Sequence, residues 1–254
     1  MYSRTLLLAL SALGICTTAH ADLYDVTLVG YGAGKRQLVA ADGQLSWDEN
    51  SGTETFYNVR AIEHIWLDEG ASSPGQQIYS HCVEIYQSVV LGDDYLFEST
   101  AIENVPQRNS WPGAMGAVRA ELVSDLYANY VDPLTGAVEE GDIASATLND
   151  YGAAFQIMLW EITHENFSAD TAAGMAAQIS FDMGAIQSQA DTSVNLVLDD
   201  MRATLNDGIF DIVALEGWTN EFAQDQSRLV IPGAGTLFGL GLMTPITRRR
   251  RRNS

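Results

Sequence analysis

Once the first 21 residues are set aside as a secretory leader, a single cysteine, Cys82, remains, so no intrachain disulfide can hold this fold. The leader is read from one positive charge at Arg4, an apolar run from Leu6 to Ile15, and the small residues Ala19 and Ala21 that a signal peptidase accepts. Cleavage is expected after Ala21. Lipidation at Cys16 is disfavoured because Ile15, immediately before it, is too bulky for the small residue such a site requires. About 210 residues then lie between the two ends, enough to bury a core that needs no crosslinks. An unpaired thiol in an oxidising compartment calls for a reason, either as a small buried hydrophobe or as a reactive group.

Charge narrows the partners. Without Arg4 and the five arginines near the end, seven basic residues face 33 acidic ones, a formal charge of −26. Nucleic acid is an improbable partner for such a surface, whereas solubility in a salty medium explains it. Lys35 is the only lysine in the chain.

Residues 25 to 86 alternate apolar and polar side chains in short runs, as in Val26–Val29, Gln37–Ala40 and Ala61–Trp66, broken by Gly, Asp, Asn and Pro. These are expected to be antiparallel strands. Gln77–Tyr86 reads as one more, with Ile78, Ser80, Cys82 and Glu84 on one face and His81 on the other. Helical spacing then takes over in Gly116–Tyr130, in about Ile143–His164 and in about Thr192–Leu205. Strands resume at Ile209–Leu215 and Arg228–Ile231. The order predicts an α+β fold, an antiparallel β-sandwich or barrel-like sheet with an inserted helical subdomain of about three helices. The expected domain runs from 22 to 230, between a leader over 1–21 and a tail over 231–254.

The tail joins Ile231, Pro232 and a short apolar segment to Arg248, Arg249, Arg250, Arg251 and Arg252. At about 14 residues with Pro245 inside it, the apolar segment is shorter than the roughly 20 a stable span needs. The arginines suit retention on the cytoplasmic side during export. This pattern resembles the PEP-CTERM sorting signals processed by exosortase-type enzymes of Gram-negative bacteria, with Pro232-Gly233-Ala234 where Pro-Glu-Pro is usual. The resemblance implies transient inner-membrane contact, an exosortase-type partner, and a final place at the cell surface or in the extracellular matrix.

His81-Cys82-Val83-Glu84 and the later run Ala154-Phe155-Gln156-Ile157-Met158-Leu159-Trp160-Glu161-Ile162 together resemble the thioester domains of bacterial surface adhesins. Cys82, Val83, Glu84, Gln156, Leu159 and Trp160 match that family's two motifs, and His81 departs from the aromatic or aliphatic residue usual before the cysteine. The resemblance implies an internal Cys82–Gln156 thioester, formed by attack of the thiolate on the carboxamide with loss of ammonia, and a target surface or matrix ligand bearing an amine. Such a bond must be kept from water, which Leu159 and Trp160 would do, while Gly152 and Ala153 allow a strand to come close to the helix. Scarce lysine fits a chain that must not acylate itself. The role implied is single-turnover adhesion and not enzymatic turnover. The competing reading is a non-covalent structural or extracellular-matrix envelope protein whose buried cysteine is inert.

Other chemistry has less support. A cysteine hydrolase needs a histidine beside Cys82, but His81 is expected on the opposite face and His164 lies two turns beyond Gln156. The histidines have no zinc-ligand spacing, Asn206-Asp207-Gly208 with Asp211 does not follow a calcium loop, and no Gly-rich phosphate loop follows a strand. No metal and no cofactor is expected.

Overall fold

The computed structural model describes residues 22–70, 74–107 and 111–231. Ala19, Ala21, Pro232 and Arg248 to Arg252 lie outside these residues. Ile231, at the expected start of the tail, packs against the core.

Seven antiparallel strands form one sheet: β1 (Leu23–Ala41), β2 (Tyr57–Asp68), β3 (Gln77–Cys82), β4 (Asp94–Ala101), β5 (Ile186–Gln189), β6 (Leu215–Thr219) and β7 (Gln226–Leu229). Their order is β2-β3-β7-β6-β4-β1-β5, and β1 also pairs with β2, so six strands close into a ring and β5 extends the far end of β1. β1 can serve three partners because its 19 residues bend, with register shifts between Leu28 and Gly30 and between Tyr31 and Gly34. Gly34, at φ 133°, lies so close to Ala61 and Ile62 that no side chain fits there.

Alternation along the strands builds two cores. Val26, Leu28, Trp66, Ile78, Phe97 and Trp218, drawn from five strands, fill the ring interior. Phe97 stacks on Trp218 at 5.5 Å between ring centroids and meets Trp66 edge-on at 5.3 Å. The larger core lies between the outside of the ring and the helices α1 (Gly116–Tyr130), α2 (Leu148–His164), α3 (Ala172–Ala176) and α4 (Thr192–Leu205). The α+β class and the helical insertion are as the periodicity predicts. α2 is the centre of this layer, buried along nearly its whole length.

Several boundaries differ from the sequence reading, each for a local reason. α2 starts at Leu148, not near Ile143, because the Asp150 carboxylate accepts the Thr147 N–H at 2.8 Å and its hydroxyl at 2.7 Å, capping the helix there. The apolar run from Ile209 becomes strand only at Leu215. Before that, Asp211 N–H is bound by the Asp125 carboxylate and Val213 N–H by the Ser124 hydroxyl, so side chains of α1 satisfy the backbone in place of a strand. β3 stops at Cys82 and does not reach Tyr86, while α3, β4 and β5 lie in segments without a clear period.

Candidate functional site

Cys82 is the last residue of β3, and Gln156 lies in the middle of α2. β2 pairs with β3 only as far as Ser80, while on the other side Cys82 stands opposite Gln226 of β7. Where β2 leaves off, the Gln156 side chain takes its place. Cys82 N–H donates to Gln156 Oε1 at 3.1 Å, and Gln156 Nε2 donates to the Cys82 carbonyl at 2.6 Å. A buried backbone amide and carbonyl must find partners, and here one carboxamide supplies both. Gln156 is 0% exposed and Cys82 2%.

Close packing brings α2 to the sheet. A β-carbon on Gly152 would collide with Ala33 of β1, so the small residue lets the helix press onto β1. The strand approached at Gly152 is therefore β1, while β3 meets the helix one turn later at Gln156. Leu159 and Trp160 are buried beside the site, at 0% and 2% exposed.

The sulfur has a defined setting. Its S–H donates to the carbonyl of Glu84, which also accepts from Gln224 Nε2 at 2.8 Å. Burial drives the thiol pKa far upward, against the lowering by the Glu84 carbonyl and by the Trp160 indole, while the carboxylates of Glu84 and Asp225 raise it further. The Trp160 N–H is close enough to act on the sulfur, yet it makes no hydrogen bond of full geometry with any described residue. A neutral sulfur species is the one this pocket favours.

His81 occupies the opposite face from Ser80, as alternation predicts. Its ring lies 4.5 Å from that of Phe155, between centroids. Cys82, assigned by the same alternation to the face of Ile78 and Ser80, instead joins the helix-side core, because the strand ends there and α2 replaces the next strand. His81 Nδ1 lies 3.0 Å from the Tyr127 hydroxyl, which bonds the Ser227 carbonyl at 2.9 Å. Its Nε2 is 3.5 Å from Glu63 Oε1. This is not an ion pair: burial lowers the His81 pKa to about 3 and raises that of Glu63 to about 7. The imidazole is thus committed to Tyr127 and is not a base for Cys82.

Beside the cysteine, a cleft of about 350 Å³ is lined by Glu84, Glu98, Gln107, Asn220, Glu221 and Asp225. Asp225 links it to the site, since its carbonyl accepts the Val83 N–H at 3.0 Å and its carboxylate the Gln107 N–H at 2.6 Å. Of these, only Glu84 stood out in the sequence. Glu98 comes from β4, Gln107 from the segment before α1, and Asn220, Glu221 and Asp225 from the turn between β6 and β7, so they share no local pattern.

Lys35 is far from idle. Its Nζ lies 2.6 Å from Asp150 and 2.7 Å from Asp191. Burial works against its charge, but the two carboxylates outweigh it and raise its pKa.

The arrangement has the parts for an acyl exchange. Cys82 and Gln156 are both buried and adjacent, and the Cys82 N–H is aimed at the oxygen on which negative charge would develop during attack on the Gln156 carbonyl carbon. Among the described residues, no three His, Cys, Asp or Glu side chains are grouped to hold a metal ion, and no helix is long and apolar enough to cross a membrane. No protein family, curated protein or solved structure matches the chain.

Proposed function

We propose that this is an exported surface protein in which Cys82 and Gln156 form an internal thioester that captures an amine on a target surface. The observation that carries the reading is the two-ended hydrogen bonding of the Gln156 carboxamide to the Cys82 main chain inside a fully buried pocket. In the first step the thiol gives up its proton, sulfur bonds to the carboxamide carbon, and the C–N bond breaks to release ammonia. In the second, a foreign amine bonds to the same carbon, the C–S bond breaks, and Cys82 regains its proton as an amide forms. The carboxylates of the neighbouring cleft favour the approach of a positively charged amine, and Lys35, held by two aspartates, is a poor internal competitor. Each molecule acts once. Export through the leader and processing of the tail by an exosortase-type enzyme would place it at the cell surface or in the surrounding matrix of a Gram-negative-type bacterium.

The second reading is an envelope or matrix protein with an inert cysteine, favoured by the S–H bond to the Glu84 carbonyl and the strongly raised thiol pKa. Intact mass of the mature protein separates the two. The thioester gives a mass one ammonia below the sequence value, and methylamine treatment raises it by one methylamine. A sequence-value mass, with Cys82 alkylated by iodoacetamide only after unfolding, supports the inert reading.

A further inference from the structure

Cys82 and Gln156 are 2% and 0% exposed, so an amine reaches the Gln156 carbonyl carbon only after part of the protein has moved aside. The elements around the pair differ in what such a movement would break. β7 is hydrogen-bonded to β3 on one side and to β6 on the other. α2 is buried along nearly its whole length and cannot shift without opening the larger core. The chain that follows Cys82, by contrast, belongs to no helix or strand until β4 begins at Asp94. Exposure rises along it, from buried Val83 and Glu84 through half-buried Ile85 to Tyr86, which is 48% exposed. Local opening starts in segments of this kind, where few contacts are deeply buried.

This segment lies over the sulfur. Gln156, Trp160 and His164 follow one another at one-turn spacing on α2, and the chain from Cys82 to Tyr86 runs beside them. Cys82 is bonded through its main chain to Gln156, its sulfur is within reach of the Trp160 indole, and the Tyr86 ring lies 6.4 Å from that of His164, between centroids. Midway, the Glu84 carbonyl accepts the Cys82 S–H, and Glu84 and Gln87 also form part of the wall of the acid-lined cleft. The segment thus stands between that cleft and the sulfur. Its two ends are fixed through the main chain. Val83 N–H donates to the Asp225 carbonyl at 3.0 Å, and beyond the segment Gly92 N–H donates to the Leu28 carbonyl at 2.8 Å. Its middle is held by side chains: Gln224 Nε2 donates to the Glu84 carbonyl at 2.8 Å, and the Tyr86 ring meets Trp111 edge-on at 5.8 Å.

We infer that residues 84–87 are a latch, held shut by Gln224 and Tyr86, which swings away from α2 and opens the sulfur to the acid-lined cleft, so that the nucleophile enters from there. Gln224 is then a positioning residue, acting on the site only through the Glu84 carbonyl. The inference rests on the thioester reading and adds to it the route by which the amine arrives.

The test is the urea dependence of methylamine uptake by the mature protein, followed by intact mass at urea concentrations below the unfolding transition. A latch that opens locally exposes little surface, so the rate should hardly change with urea, whereas a reaction that waits for global unfolding accelerates steeply. Gln224→Ala removes one hydrogen bond and Tyr86→Ala two aromatic contacts, and each should raise the rate roughly fivefold while the flat urea dependence is kept. A variant that merely loosened the whole fold would gain its speed together with a steep urea dependence. The inference is overturned if the parent's rate rises with urea as steeply as its unfolding equilibrium, or if either variant is no faster than the parent. A mass at the sequence value before any treatment ends the thioester reading by itself. The latch is then judged by the same urea series and the same two variants, with iodoacetamide on the Cys82 thiol in place of methylamine and the same outcomes deciding it.

Discussion

The Gln156 carboxamide substitutes for a strand at Cys82, holding its N–H at 3.1 Å and its carbonyl at 2.6 Å. One side chain therefore closes a backbone ladder and presents an acyl carbon to a thiol. Gln156→Ala should lower unfolding stability by roughly 3–5 kcal/mol, since it leaves two buried backbone groups unpaired and opens a cavity. Cys82→Ser keeps both main-chain bonds and should cost less than about 2 kcal/mol. Denaturant unfolding measures both. Equal losses would mean that the carboxamide does not support the ladder. In each variant the intact mass should stay at the sequence value.

Trp160→Phe retains an aromatic ring next to the sulfur but removes the indole N–H. A stability loss of about 1–2 kcal/mol is expected from the smaller side chain. On the thioester reading, the fraction of protein that has lost ammonia, followed by mass spectrometry after synthesis, should fall several-fold. An unchanged fraction in a folded variant would remove the N–H from any part in the chemistry.

Gly152→Ala forces a methyl group into the Ala33 backbone of β1. Overpacking of this kind costs about 1–3 kcal/mol, and because Gln156 is one turn along the same helix, the strain falls on the site as well. The melting temperature should drop, and methylamine incorporation should drop with it. A variant as stable as the parent would show that α2 can slide on the sheet.

Glu63 makes a pH-dependent contribution of definite sign. Burial raises its folded pKa from 4.5 to about 7, even though the N–H groups of Val138 and Ala33 bind it. The neutral acid is thus favoured in the fold. Its stabilising contribution is complete below about pH 4.5 and is lost as pH rises through 7, by roughly 3 kcal/mol. His64 and His81, lowered by burial to about 4 and about 3, act oppositely, destabilising the fold as pH falls below their ordinary value. Glu63→Gln isolates the first effect: the difference in unfolding free energy between parent and variant should change across pH 4.5 to 7 and level off above. A constant difference would place the Glu63 pKa at its ordinary value.

Amphipathic periods carried the fold furthest. α1 and α4 span Gly116–Tyr130 and Thr192–Leu205, where the spacing put them; α4 lays one apolar stripe on the core, whereas α1 is buried at every residue from Leu122 to Tyr127. The two apolar runs around Val26 and Val39 read as separate strands but belong to one long β1, since the glycines between them permit bends without ending it. For the site, the sequence offered a cysteine in a strand and a glutamine in a helix. Their hydrogen bonding depends on where β2 stops pairing, which no local pattern encodes. The acid-lined cleft was invisible for a similar reason: apart from Glu84, expected on a strand, Gln107, Asn220 and Asp225 come from two other loops, and each of these alone reads as an ordinary polar residue in a turn.

The ion pairs of Lys35 have a practical consequence. With its only lysine clasped by Asp150 and Asp191, the folded protein is nearly silent to reagents that label primary amines. A fluorophore-tagged amine that becomes covalently attached would be read against an almost blank background, and in a mixed cell-surface digest any lysine found joined to residue 156 would carry the sequence signature of the captured molecule.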